Sequence, residues 1–352
     1  MTSLRDVARH AGVSVATASR VANGGLRVRP ETRERVERAM RELLYVPPGR
    51  TPATGLIGVL VPELENPIFP AFAQAIETRA APRGFASILC NTQSAAFREV
   101  DYVHMLLDRG VEGMIFVSCE MTNLAGEHDH YRRLIGEGAR IVFVNGALEG
   151  LDVPAVGVDE VAAGELATRY LLELGHRRVG FVAGPAHYLP VRLKAAGRAA
   201  ALEAAGIDPD PYVAHTSFGL AGGVAGLTQL LEEPEPPTAV FCSSDMMATG
   251  VLHEAGRRGL RVPDELSVIG FDGVASQWSL PPLTTIEQPI DEIAETAVTA
   301  LRRLIRDPER PLPNFVFRPK LRLGWTTARA SSNGVASGPP SVREPGLQPP
   351  AA

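Results

Sequence analysis

Cysteine is scarce. Cys90, Cys119 and Cys242 are the only three in 352 residues. They are too scattered for a disulfide frame or a zinc site. Each sits in an apolar run, where a buried free thiol is the expectation. Lysine is scarcer: only Lys194 and Lys320 among 35 basic residues. That arginine bias reflects a GC-rich genome and carries little about function. No run of about 18 uncharged apolar residues occurs, which excludes a spanning helix. The opening MTSLRDVARHAGVS is charged throughout and has no apolar core, so no secretory signal is expected. There is no G-x-S-x-G elbow, P-loop or H-E-x-x-H motif. Gly222-Gly223-Val224-Ala225-Gly226 follows no apolar strand and is not a dinucleotide fingerprint. These absences point to a cytosolic protein without cofactor, metal or membrane partner.

What is present is an ordinary globular composition, 45% apolar and 21% charged, long enough for two or three domains. The charge is uneven. Residues 1–50 carry ten arginines against five acids, whereas the whole chain has a net charge of −5. A basic head on an acidic body suits a head that meets a polyanion.

Residues 3–45 read as three short helices, within a head spanning 1–46. Leu4, Val7, Ala8 and Ala11 recur at helical spacing. Gly12-Val13-Ser14 makes a turn, with Ser14 placed to cap a second helix running through Asn23. Pro30 opens a third helix, whose buried stripe is Val36, Ala39, Met40 and Leu43. Residues 47–55 are linker composition, and Pro47, Pro48 and Pro52 exclude a regular helix there.

From Leu56 the pattern becomes apolar runs alternating with helical stretches. The runs are 56–61, 87–91, 113–118, 141–144, 155–158, 179–183, 239–243, 267–271 and 284–288. Such runs between helices mean buried parallel strands in βαβ units. About 270 residues exceed one core, so two α/β lobes are expected. Several runs end in polar residues, including Asn145, Asp159, Ser244, Asp245, Asp272 and Gln288. In open parallel sheets a ligand is read beyond those strand ends. Residues 331–352, rich in Ser, Gly, Pro and Ala, are expected to be a disordered tail.

The run LRDVARHAGVSVATASRVANG fits a helix-turn-helix. The first turn of its second helix, Val15, Ala16 and Thr17, is free to enter a major groove. Arg20 lies one turn on, where an arginine can bond guanine O6 and N7. Thr17, Ser19 and Asn23 suit phosphate oxygens.

These residues, with Asp6-Val7-Ala8 and Thr32-Arg33, resemble the head of the LacI/GalR family of bacterial transcriptional regulators. The likeness continues through Asn66-Pro67-Ile68-Phe69, Gly175-His176-Arg177, Gly184-Pro185, Asp245-Met246-Met247-Ala248, Gly270-Phe271-Asp272 and Pro282-Leu283-Thr284-Thr285-Ile286. It spans residues 3 to about 327 in one order. The resemblance implies a small all-α helix-turn-helix head plus an α/β two-lobed core. That core is periplasmic-binding-protein-like, with parallel sheets and an interlobe cleft. Lobe one would hold about 56–159 and 290–318, and lobe two about 160–289 and 319–330.

The implied function is a transcriptional regulator, expected to repress. It binds a pseudo-palindromic double-stranded operator as a homodimer, under control of a small effector in the cleft. Val15 and Ala16 fall at apolar base-reading positions, Arg20 at the base-reading arginine, and Thr17, Ser19 and Asn23 at phosphate contacts. Phe69 and Phe218 fall at aromatic effector positions. Asn145, Arg192, Lys194, Ser244, Asp272 and Gln288 fall at polar ones. That set suits a polyhydroxylated ring, hence a sugar or sugar derivative, with a nucleobase or nucleoside second.

Three positions depart from the family. Ala18 stands for the usual valine, and Arg29 for the usual serine cap. The short Pro-rich linker offers no leucine for a minor-groove wedge, so no hinge helix is expected. Two other functions fit lobes of this kind: a solute-binding protein serving a transporter, or a sugar-processing enzyme using Asp245 and Asp272 as paired carboxylates. The missing signal and the basic head count against the first, and the lack of a catalytic constellation against the second. Glu127-His128-Asp129-His130 resembles a metal site but has no third ligand spaced to join it.

Overall fold

The computed structural model describes residues 3–22, 28–43, 45, 55–92, 98–275 and 279–330. Asn23, the prolines of the linker and the tail from 331 lie outside the described residues.

The head is three helices, α1 (Leu4–His10), α2 (Val15–Ala22) and α3 (Pro30–Glu42). Ser3 and Asp6 close a reciprocal capping box on α1, which satisfies two orphan N–H groups. Ser14 Oγ accepts from Thr17 N at 3.2 Å and starts α2. Val7, Ala8, Ala11, Ala18, Val21, Val36 and Ala39 form the head's core, with Met40, Leu43 and Tyr45 packed beside it. The alanine at 18 is fully buried, so the departure from valine falls in the middle of that core.

The body contains two six-stranded sheets. The first has the order β11-β5-β4-β3-β1-β2. Its strands are β1 (Leu56–Val61), β2 (Ala86–Asn91), β3 (Gly113–Val117), β4 (Ile141–Val144), β5 (Ala155–Val158) and β11 (Phe315–Phe317). The second has the order β12-β10-β9-β8-β6-β7. Its strands are β6 (Val179–Ala183), β7 (Val213–His215), β8 (Ala239–Cys242), β9 (Ser267–Asp272), β10 (Thr284–Glu287) and β12 (Lys320–Arg322). All pairings are parallel except β10 with β12, which is antiparallel. The sheets are therefore parallel, as expected, apart from that edge pairing. The chain leaves the carboxyl end of β11 in the first sheet and enters β12 directly from that side, so β12 runs back against β10. Strands β7, β11 and β12 are not among the nine runs the sequence marks. Each is three residues long and none is fully buried, so none leaves a continuous apolar run.

Helices α4 (Ile68–Ala80), α5 (Glu99–Asp108), α6 (Asp129–Gly136) and α11 (Ile290–Arg306) belong with the first sheet. The last packs on α4 and on β3, β4 and β5. Helices α7 (Glu160–Glu173), α8 (Leu189–Ala204), α9 (Leu220–Leu230) and α10 (Asp245–Arg257) belong with the second. There α7 packs on α8, and α9 on α10. The chain passes between sheets three times: after β5, after β10 and after β11. Each passage leaves from a carboxyl strand end. The carboxyl ends of both sheets therefore meet along one seam, where ligands of such sheets bind.

Candidate functional site

Two places collect the polar residues: the exposed face of α2 and the seam between the sheets. On α2, Val15, Ala16 and Arg20 are exposed and Thr17 and Ser19 half-buried, while Ala18, Val21 and Ala22 are buried. The helix thus shows one face outward. Val15 is 44% exposed. Thr17 Oγ1 lies 2.9 Å from Ser14 Oγ, so its hydroxyl already serves the helix start.

At the seam three non-glycine residues have left-handed backbone at the ends of strands: Ser118 (φ 49°), Asn145 (φ 55°) and Asp272 (φ 121°). Strained backbone of this kind persists where the surroundings over-determine it. Val158 N donates to Asn145 Oδ1 at 3.2 Å. A backbone N–H can only donate, which fixes the orientation of the Asn145 amide. Its Nδ2 then donates to Gln288 Oε1 at 2.8 Å. Gln288 Nε2 in turn donates to Asp272 Oδ1 at 2.9 Å. The chain runs from the first sheet, through the passage after β10, to the second. All three residues are buried.

Asp272 Oδ2 is buried and has no hydrogen-bond partner. Burial, followed by the nearby Asp245 carboxylate, pushes the Asp272 carboxyl well above its usual range; Lys194 and the Gln288 bond act the other way. From the sequence Asp245 is a polar strand end and half of a candidate carboxylate pair. Instead it braces the loop behind Asp272. Its Oδ2 accepts from Ala275 N at 2.9 Å, and its Oδ1 from Thr285 Oγ1 at 2.6 Å. Burial raises its pKa from 3.8 to about 6.

The other expected effector residues divide. Phe69 is half-buried on α4 and packs on the main core. Phe218 is 46% exposed and meets Tyr188 edge-on, ring centroids 5.1 Å apart. Gly184 makes room for it, since a Cβ there would lie 2.1 Å from Phe218 Cε1. Ser244 is spent on structure: its Oγ accepts from Met247 N and caps α10. Lys194 is 3% exposed, its ammonium 2.5 Å from Glu160 Oε2. Arg192 is exposed on the same helix. Two residues apart, the pair cannot face one way.

Two residues escaped the sequence reading. Glu160 gave no signal beyond its place at the start of α7. Tyr188 bridges to Asn123 across the seam, and Leu124 N donates to His187 O at 2.8 Å beside it. The loops after β3 and β6 therefore touch. Burial and the Glu120 carboxylate raise the Tyr188 pKa.

Among the described residues no cluster suits a metal ion. His128 and His130 instead bond Glu120 O at 3.1 Å and Glu99 Oε1 at 3.0 Å. No helix among the described residues is long and apolar enough to cross a membrane.

Comparison with known proteins defines the class. Residues 3–48 match the bacterial regulatory proteins of the lacI family. Residues 168–327 match a periplasmic binding protein-like domain. A transcriptional regulator of the helix-turn-helix type in the aml 5′ region of Streptomyces limosus is 41% identical over 333 residues, covering 93% of this chain and 94% of the relative. The lac repressor dimer bound to operator and the anti-inducer ONPF superposes with a TM-score of 0.75 at 28% identity, covering 93% of this chain and 99% of that one. The transcriptional regulator CelR in complex with cellobiose gives 0.69 at 29% identity, covering 93% and 100%. The chain belongs to the lacI family of bacterial regulatory proteins. That family is one of transcriptional regulators, not of enzymes.

Proposed function

We propose that this chain represses transcription as a cytoplasmic homodimer on a pseudo-palindromic operator, without enzymatic activity, under control of a neutral sugar-like effector in the seam between its lobes. The division follows the sequence reading: head 1–46, linker 47–55, and a two-lobed body 56–330. Val15 and Ala16 read bases by apolar contact, Arg20 reads guanine, and Thr17, Ser19 and Asn23 hold phosphates. Phe69 and Phe218 face the ring of the effector. Asn145, Gln288 and Asp272 address its hydroxyls.

The observation that carries the effector reading is Asp272 Oδ2, a buried oxygen with no hydrogen-bond partner at the end of a hydrogen-bonded chain joining both lobes. A buried acceptor left unsatisfied costs roughly 1–3 kcal/mol, and a ligand hydroxyl at that point would recover it. The likeness to a repressor dimer on its operator and to a regulator holding cellobiose supports the same reading. An effector acts by binding one lobe arrangement more tightly than the other.

The test is a gel-shift titration of the full chain against DNA from its own genomic neighbourhood, with and without a sugar panel. Specific binding should weaken roughly 10³- to 10⁵-fold between 50 and 200 mM salt, as phosphate contacts release counterions. One sugar should change the affinity. Absence of any sequence-specific complex would overturn the proposal.

A further inference from the structure

Lys194 has no charge to spare. Its ammonium lies 2.5 Å from Glu160 Oε2, with both side chains under a tenth exposed. The same ammonium sits 3.8 Å from the centroid of the Phe271 ring. Helices α7 and α8 hold this arrangement through close backbone approach. A Cβ on Gly164 would lie 2.1 Å from Lys194 O, and one on Gly197 1.9 Å from Val161 O. That approach keeps the backbones carrying Glu160 and Lys194 close enough for their side chains to meet.

The pair also borders the proposed effector site. Phe271 directly precedes Asp272, and the Glu160 and Lys194 charges both act on the Asp272 carboxyl. The Asp272 carboxyl thus feels like charge from Asp245 and Glu160, and opposite charge only from an ammonium that is already paired. A buried anion needs a cation of its own to repay its desolvation. Here it would meet like charge. A hydroxyl donor needs only the free oxygen.

We infer that Glu160 is a specificity-determining residue: by neutralising Lys194 it restricts the seam to uncharged polyhydroxyl effectors and turns away phosphorylated or carboxylated sugars. The inference rests on the proposed effector site, and the test separates the two. Full-length wild type and Glu160→Gln are titrated with cellobiose and ribose and with their anionic counterparts, cellobionate and ribose 5-phosphate. Inorganic phosphate alone is followed by thermal shift.

Wild type should show no phosphate response and should favour the neutral member of any pair that binds. Glu160→Gln frees the ammonium. It should gain a phosphate-dependent rise in Tm and lose neutral-over-anionic preference by about tenfold or more. Wild type that responds to phosphate, or that binds an anionic member as tightly as its neutral counterpart, overturns the inference. So does a folded Glu160→Gln without a phosphate response. If that variant does not fold, the wild-type measurements decide alone. If no sugar binds either protein, the effector reading is weakened, while the phosphate response still decides the role of Glu160.

Discussion

The Asn145 carboxamide donates to Gln288 Oε1 at 2.8 Å, across 143 positions of sequence. That contact ties the end of a first-lobe strand to the passage leading out of the second lobe. Gln288 passes the link on to Asp272. Any change in the angle between lobes must stretch or re-form this chain, because it joins a strand end of the first sheet to one of the second. Under the proposed function, effector sensing and lobe geometry share the same three side chains.

Gln288→Leu should break both links at once. Asn145 Nδ2 would lose its acceptor, and Asp272 the bond to its remaining satisfied oxygen. Each stranded buried group costs roughly 1–3 kcal/mol. A Tm several degrees below wild type is expected, with the operator response to effector flattened. An unchanged melting curve would show that the chain carries no stability.

Asp272→Asn should stabilise the protein and silence it. The asparagine oxygen keeps the Gln288 bond while the buried charge disappears. The sign follows from the raised pKa values. An acid whose folded pKa lies above its unfolded value lends stability at low pH and loses it as pH rises through the folded value. For Asp245 that window runs from 3.8 to about 6, and Asp272 is raised further above its usual range by burial and by Asp245. The advantage of the variant should be smallest below the ordinary aspartate pKa and grow as pH rises toward the raised value of the folded Asp272. Chemical denaturation across pH checks this, and calorimetry with the effector should show no binding.

His176 predicts the opposite trend. It is fully buried, lying 2.9 Å from Thr238 Oγ1 and 3.0 Å from Ala328 O. Burial lowers its pKa from 6.5. Its contribution is present above pH 6.5 and lost as pH falls. His176→Asn should unfold more easily at pH 8 and show a shallower loss of stability below pH 6.5 than wild type.

Gly184→Ala should separate binding from folding. The added methyl would overlap the Phe218 ring, which is nearly half exposed and can swing toward solvent. Stability should change by less than about 1 kcal/mol, whereas effector affinity should fall because the ring leaves its place against Tyr188. Equal loss of both would mean that Phe218 is only a packing residue.

Arg20→Ala should cost about 1–3 kcal/mol of operator affinity and relax one base position in a competition assay. Equal weakening on random DNA would reassign Arg20 to a phosphate.

The sequence alone determined the local parts. Capping residues, turn glycines and helical spacing delimited the head, and continuous apolar runs located nine strands, because these signals act over a few residues. Asp272 and Gln288 were legible as polar strand ends. The tertiary structure decided which of those ends come together. Lys194 was read as a ligand contact, yet Glu160, 34 positions earlier, claims its charge. Ser244 was read the same way and caps a helix. Asp245 looked like half of a catalytic pair and braces a loop. No periodicity encodes such partnerships, because they form only when two sheets and the helices between them pack to fixed distances. Charge and hydrogen-bond capacity belong to residues; whether any is left for a ligand depends on what the folded chain has placed within about 3 Å.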